Sequence, residues 1–108
     1  MNHYDSPFLD YVASILGTKL VAYMLGFTRT SELRSIRRAD LVRVHQIAKI
    51  IMTLDEDPTT TRSWFMGMNP RLGVDADPAH DRAPAAVFRE GDYKSVLAAA
   101  RCGFEMGA

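Results

Sequence analysis

The chain has 108 residues, of which 47% are hydrophobic and 24% are charged. A chain of this length and composition can form one globular domain but is too short for two independent cores. Its only cysteine, Cys102, excludes an intramolecular disulfide, and three separated histidines lack zinc-site spacing, so we expect a reducing compartment, no metal and no cofactor. No apolar run reaches the roughly 18 to 20 residues of a membrane span, and the N-terminus lacks the basic opening of a signal peptide, so we expect cytoplasmic residence without a membrane partner.

The formal net charge of zero hides an asymmetry between the two halves of the chain. Residues 1–54 hold seven basic and four acidic residues, whereas residues 55–108 hold six basic and nine acidic residues. This distribution is compatible with a nucleic-acid face on the first half and a different partner on the second.

The first two predicted helices follow from apolar spacing and glycine stops. Pro7 suits a first helical turn, and the periodic apolar residues after it continue until Gly17. Thr18 offers a cap for a second helix over residues 19–25, which is apolar on all sides. This second helix is therefore predicted to be buried.

Two further helices are predicted before the middle of the chain. One spans residues 30–38, with Leu33 and Ile36 pointing inward and its arginines pointing outward. The next is capped by Asp40 and carries apolar residues at i, i+3 and i+4 intervals as far as Met52.

After an acidic break at residues 55–57, Thr59 to Thr61 offers a cap for a short helix through Trp64 and Phe65, which Gly67 ends. Pro84 starts another short helix, and Asp92 caps a last one that ends near Cys102. No segment alternates like a strand. The sequence therefore predicts an all-α chain, with a helical domain over residues 1–57 and a small helical module over residues 58–108.

The second and third helices also suit a helix-turn-helix motif. The motif needs a small residue where its two helices cross, a glycine in the turn and an apolar residue that re-enters the core. Ala22, Gly26 and Phe27 match these three positions, and a basic helix is predicted after them. A DNA-binding role would place the following residues toward the grooves and phosphates: Thr28, Arg29, Thr30, Ser31, Arg34, Arg37 and Arg38. The alternative interpretation is a solvated basic helix in a helical bundle.

The last third of the chain carries an ordered set of short motifs, and it is here that a family resemblance lies. A tryptophan helix is followed by an Asn69-Pro70 turn, then Asp81-Arg82-x-Pro84, then Glu90-Gly91-Asp92 and an alanine-rich helix. This order resembles the toxin-binding domain of the MbcA/ParS/Xre antitoxin family, and Leu16-Gly17 through Leu25-Gly26 resembles the Xre-like region before it. The resemblance covers roughly residues 14–104.

The resemblance implies an all-helical antitoxin of a type II toxin–antitoxin system. Its partner would be a RES-domain toxin, an NAD-consuming enzyme, which it inhibits by occluding the active site. Such antitoxins can also repress their own operon. The chain departs from the family pattern by inserting residues 73–80 between the Asn-Pro turn and the Asp-Arg segment, so contacts of that loop cannot be carried over.

The exposed charges of this module are the natural candidates for toxin contacts, although a solvated surface explains them equally well. The full set of candidate toxin-binding residues is Asn69, Arg71, Asp81, Arg82, Arg89, Glu90, Arg101 and Phe104. Asn69 can instead have a purely structural role in its turn. Met66 and Met68 are expected to fill the core, or to form an adaptable docking surface beside Trp64.

No nucleophile has an assembled base, because His45 and Cys102 stand apart from suitable partners, so we expect no enzymatic activity. The sequence thus favours an antitoxin, present as a homodimer or a toxin–antitoxin hetero-oligomer. A helix-turn-helix transcriptional regulator without a toxin is the alternative. A structural dimeric adaptor is a third possibility.

Overall fold

The computed structural model describes residues 7–73 and 81–102, and every regular element within these ranges is a helix, which confirms the all-α class. The α-helices are α1 (Pro7–Leu16), α2 (Thr18–Met24), α3 (Arg38–Asp55), α4 (Pro58–Met66), α5 (Pro84–Arg89) and α6 (Tyr93–Arg101). Two short 3₁₀ helices, η1 (Thr30–Ser35) and η2 (Pro70–Leu72), follow α2 and α4. Within the same ranges, no helix has both the length and the apolar character needed to cross a bilayer.

Three predicted helix boundaries are confirmed, each with a local cause. α1 ends before Gly17, whose φ of 84° is a conformation that side-chain-bearing residues adopt only at a cost. α5 begins at Pro84, whose ring presets the helical φ. α6 follows Asp92, whose carboxylate accepts a hydrogen bond from Ser95 N at 3.2 Å.

Two predicted N-caps are wrong. Asp57 caps α4 in place of a residue from Thr59 to Thr61, because its Oδ1 accepts a hydrogen bond from Thr59 N at 3.0 Å and Pro58 fills the first helical position. Gly17 precedes α2 in place of Thr18, because the chain turns at this glycine and Thr18 already belongs to the helix. The helices themselves remain where they were predicted.

The α-helix predicted over residues 30–38 is wrong. The chain forms η1, which ends at Ser35, and then runs through Ile36 and Arg37 in extended conformation. Leu33 and Ile36 are both buried, as predicted. Their spacing of three residues suits a 3₁₀ helix, with about three residues per turn, as well as it suits an α-helix. The spacing alone therefore did not identify the helix type.

The extended link also moves the start of α3. The helix begins at Arg38, so that Asp40 lies in its first turn and does not cap it. There the Asp40 carboxylate lies 3.5 Å from Arg43 Nη1. A negative charge in the first turn also stabilises the helix by interacting with its dipole.

One hydrophobic core joins the two predicted segments. α3 packs against α1, α4 and α6, while α5 packs against α2, α4 and α6. Large side chains buried almost completely come from both sides of residue 57: Leu16, Met24, Ile47, Ile51, Phe65 and Val96. The predicted boundary lies at the turn between α3 and α4, and the segments on its two sides share this core.

Candidate partner-binding and nucleic-acid interfaces

The motif residues of the last third meet around a backbone bridge between Asn69 and Arg82. Asn69 N donates to Arg82 O at 3.0 Å, and the two residues form an isolated antiparallel bridge. The side-chain Oδ1 of Asn69 accepts a hydrogen bond from Arg71 N at 3.0 Å, which caps η2. Asn69 is only 6% exposed. It therefore holds the turn in place, and little of its surface is available to a partner.

Arg82 extends this unit to the end of α5. Its guanidinium forms an ion pair with the carboxylate of Glu90, the residue that follows α5. Pro84 is buried at the start of the same helix. The Asn-Pro turn, which the inserted residues separate in sequence from the other two motif segments, thus forms one local structure with them.

The end of α4 places two methionines on the surface beside this unit. Trp64 and Phe65 are buried, with ring centroids 5.1 Å apart in an edge-to-face arrangement. Met66 and Met68 are 57% and 68% exposed, so their expected role as core fillers is wrong. Because Asn69 pairs antiparallel with Arg82, Met68 lies across from the chain at Ala83. Met66 and Met68 are thus two exposed apolar side chains that shortly precede the bridge in the chain, and we call them the methionine surface.

The predicted toxin-binding residues differ in exposure. Asp81 and Arg82 are half-buried, and the exposed members of the set are Arg71, Arg89, Glu90 and Arg101. Phe104 and residues 74–80 of the insertion lie outside the described residues.

All of the predicted DNA-binding residues are exposed, but no α-helix presents them as a group. Thr30, Ser31 and Arg34 lie on η1, Arg37 lies in the extended link, and Arg38 begins α3. The six residues of η1 are fewer than the predicted recognition helix would have provided.

Glu32 fixes the turn that leads into η1. Its Oε1 accepts hydrogen bonds from the Thr28 hydroxyl at 2.8 Å, from Thr28 N at 3.0 Å and from Arg29 N at 2.9 Å. The hydrogen bond from the Thr28 side chain, followed by those from the two backbone amides, lowers the pKa of Glu32. A helix-turn-helix motif of the usual length would have a core residue at position 32, whereas the buried residue in this chain is Leu33.

A groove of about 680 Å³ lies between α2, this turn and the end of α5. We call it the basic groove, and its lining residues are Lys19, Ala22, Tyr23, Phe27, Thr28, Arg29, Thr30 and Arg89. The groove brings residues 28–30, which were predicted to bind DNA, together with Arg89, which was predicted to bind a toxin. Sequence reasoning missed the contributions of Lys19 and Tyr23, because no local spacing links them to Arg89.

Arg89 is held in this groove by α2. Its Nη1 donates to Tyr23 O at 2.7 Å, near the C-terminal end of that helix, where a cation is favourable. The guanidinium carbon lies 4.8 Å from the centroid of the Tyr23 ring, within the range of a cation–π interaction. The side chain is thereby fixed beside the lining of the groove.

His45 and Cys102, the other titratable residues considered in the sequence, lie on α3 and just after α6. His45 packs on Phe8 and Tyr11, with ring centroids 4.4 and 5.1 Å away, and burial followed by the charge of Lys49 lowers its pKa. Cys102 is half-buried just after α6. Within residues 7–73 and 81–102, no three His, Cys, Asp or Glu side chains group as metal ligands would.

Comparison of the chain with protein-family models, with curated proteins and with solved structures found no match.

Proposed function

We propose that this chain is an antitoxin that binds a RES-domain, NAD-consuming toxin and inhibits it by covering its active site. The observation that carries the proposal is the convergence of the motif segments around the Asn69–Arg82 bridge. The order of these motifs along the chain resembles that of a toxin-binding domain. In the folded chain the same motifs lie together in one local structure.

The methionine surface provides the contact area for such a partner. Methionine is common at adaptable binding surfaces, because its flexible, polarisable side chain adapts to a partner's shape, and both methionines here are exposed. Glu90, which Arg82 holds in place, supplies an exposed charge near the same unit. An apolar centre with charged residues around it is typical of protein–protein interfaces.

The alternative, a helix-turn-helix regulator without a toxin, has less support from the geometry. Reading bases in the major groove normally requires an α-helix that lies along the groove. Here the segment after the turn is the short η1, with an extended link behind it. Repression of its own operon through Thr28 to Arg38 stays a prediction.

The proposal is tested in cells with the reading frame that neighbours the gene. Where this frame encodes a RES-domain protein, that protein is expressed alone and together with the chain, and growth and cellular NAD are followed. We expect NAD to fall when the toxin is expressed alone and to recover on co-expression. Toxicity that the chain does not relieve would contradict the proposal for that pair.

Point variants locate the interface better than truncations, because the two segments share a core. Met66→Glu combined with Met68→Glu places charge on the methionine surface and should abolish rescue. The matched control is Leu54→Glu, since Leu54 is 52% exposed near the end of α3. Rescue by the double variant as complete as that by the control would exclude this surface as the contact.

A further inference from the structure

We propose that the basic groove binds the phosphate backbone of a nucleic acid, with Lys19, Arg29 and Arg89 as the contacting cations. The proposal deepens the predicted DNA binding but changes its mode, from base reading by a recognition helix to backbone contact by a groove. It also adds Arg89, a residue of the second segment, to a surface otherwise built by the first. Inhibition of a toxin is not required for it.

The charge of the groove favours an anionic occupant. Three cations line it, and the described lining residues include no Asp or Glu. Residues 19–38 contain five basic residues and one acidic residue, Glu32. Oε1 of that carboxylate accepts three hydrogen bonds from Thr28 and Arg29, which directs this oxygen at the turn.

The groove also holds its donors in fixed positions. Arg89 uses one N–H for Tyr23 O, which leaves guanidinium donors for a further acceptor. Planar guanidinium groups match phosphate oxygens in a bidentate manner. Because the contact with α2 orders Arg89 before a ligand arrives, binding costs less side-chain entropy.

The size and the surroundings of the groove favour a polymer over a small anion. A volume of about 680 Å³ exceeds the space of one phosphate, and the groove is open to solvent. Arg37 and Arg38, which follow η1 in the chain, are also exposed and add to the positive charge of the first segment. A nucleic-acid strand carries about one charge every 3.4 Å, a density that few acidic protein segments reach.

The mode of binding follows from the elements that carry the cations. Lys19 comes from α2, Arg29 from the turn and Arg89 from α5, and none of them lies on a helix long enough to follow a major groove. Contacts of this kind position a protein on nucleic acid but read no sequence. We therefore expect similar affinity for unrelated sequences.

The test is fluorescence anisotropy of the full chain with a short labelled DNA duplex and with one of its single strands. Three phosphate contacts to a duplex predict that log K falls with log salt with a slope of about −2.7 between roughly 50 and 200 mM salt. Lys19→Gln and Arg89→Gln should each reduce this slope by about 0.9. Comparison of the duplex with the single strand shows which of them supplies the phosphates.

Lys49→Gln is the matched control, since Lys49 lies on α3 beside Val42 and His45 and not in the basic groove. It should leave the salt slope unchanged. Thermal unfolding of each variant checks that it is folded. Because Arg89 also bonds to α2, Arg89→Gln can destabilise the chain, and in that case the salt slope of Lys19→Gln alone tests the proposal.

Three outcomes would overturn the proposal. The chain binds neither probe at low salt, or Lys19→Gln and Arg89→Gln bind with the slope of the wild-type chain. In the third outcome, a polyglutamate peptide binds through these residues and both nucleic acids fail to bind, which would assign the groove to an acidic protein segment.

Discussion

At the scale of single residues, Glu32 shows how one carboxylate determines the path of a turn. Its Oε1 gathers three donors from Thr28 and Arg29, and these two residues line the basic groove. The hydrogen bond from the Thr28 hydroxyl is the largest cause of the lowered pKa of Glu32. Because this pKa is lower in the folded than in the unfolded chain, the contribution of Glu32 to stability is complete above the unfolded pKa. It is lost as the pH falls through the folded pKa.

Replacement of Thr28 by valine should therefore raise the pKa of Glu32 toward its ordinary value, because the variant keeps the shape of the side chain but removes the hydroxyl donor. An NMR pH titration of the Glu32 carboxyl carbon measures this change. Thr53→Val is the control, since the Thr53 hydroxyl bonds to Lys49 O on α3. If both variants give Glu32 the same pKa, the hydrogen bond from Thr28 does not cause the shift.

At the scale of elements, Arg62 joins α4 to the end of α1. Its Nη1 donates to Ile15 O at 2.8 Å, and its Nη2 donates to Thr59 Oγ1 at 3.2 Å. The last carbonyls of an α-helix have no partner within the helix, and a cation at this end is favourable. One side chain thus satisfies a carbonyl of α1 and fixes the position of α4 beside it.

Arg62→Ala should lower the free energy of unfolding by about 1 to 2 kcal/mol, since it removes a charged donor from a half-buried carbonyl. Chemical denaturation followed by circular dichroism measures the change. Arg101→Ala removes an exposed arginine at the end of α6 and should change stability by less than about 0.5 kcal/mol. Equal losses in the two variants would show that the bond to Ile15 contributes nothing.

The helices themselves were largely predictable, and the contacts between them were not. Apolar periodicity, Pro84 and Asp92 located α1, α5 and α6, because these signals act within one or two turns of the chain. The type of η1 was missed, because Leu33 and Ile36 fit two kinds of helix. The bond from Arg62 to Ile15 spans 47 residues, and no local pattern indicates it.

At the scale of the whole molecule, the shared core connects folding to function. α1 and α3 pack against α4, and α3 also packs against α6, so removal of the second segment would expose the faces of α1 and α3 that it covers. A fragment of residues 1–57 should therefore have less helix per residue than the full chain and should unfold without a cooperative transition. Circular dichroism during thermal unfolding checks this. A sharp transition in the fragment would show that the first segment is an independent domain.

The candidate surfaces also belong to this scale, and this explains how much of them could be predicted. The sequence indicated Arg29, Thr30 and Arg89 as surface residues of two separate sites. Only the packing of α5 against α2 places Arg89 beside the turn, and the same packing brings Lys19 into the groove. A site built from distant segments has no spacing that can be read along the chain.

The bridge between Asn69 and Arg82 also bears on how this chain can change in length. It joins the backbone just before the inserted segment to the backbone just after it, so both ends of that segment are held by contacts outside it. Doubling the length of a closed loop adds only about 0.6 kcal/mol of closure entropy. Because the bridge closes the chain between η2 and α5, the cost of this closure depends only weakly on the length of the segment spanned, and we expect a reporter peptide inserted there to cost the helices little stability.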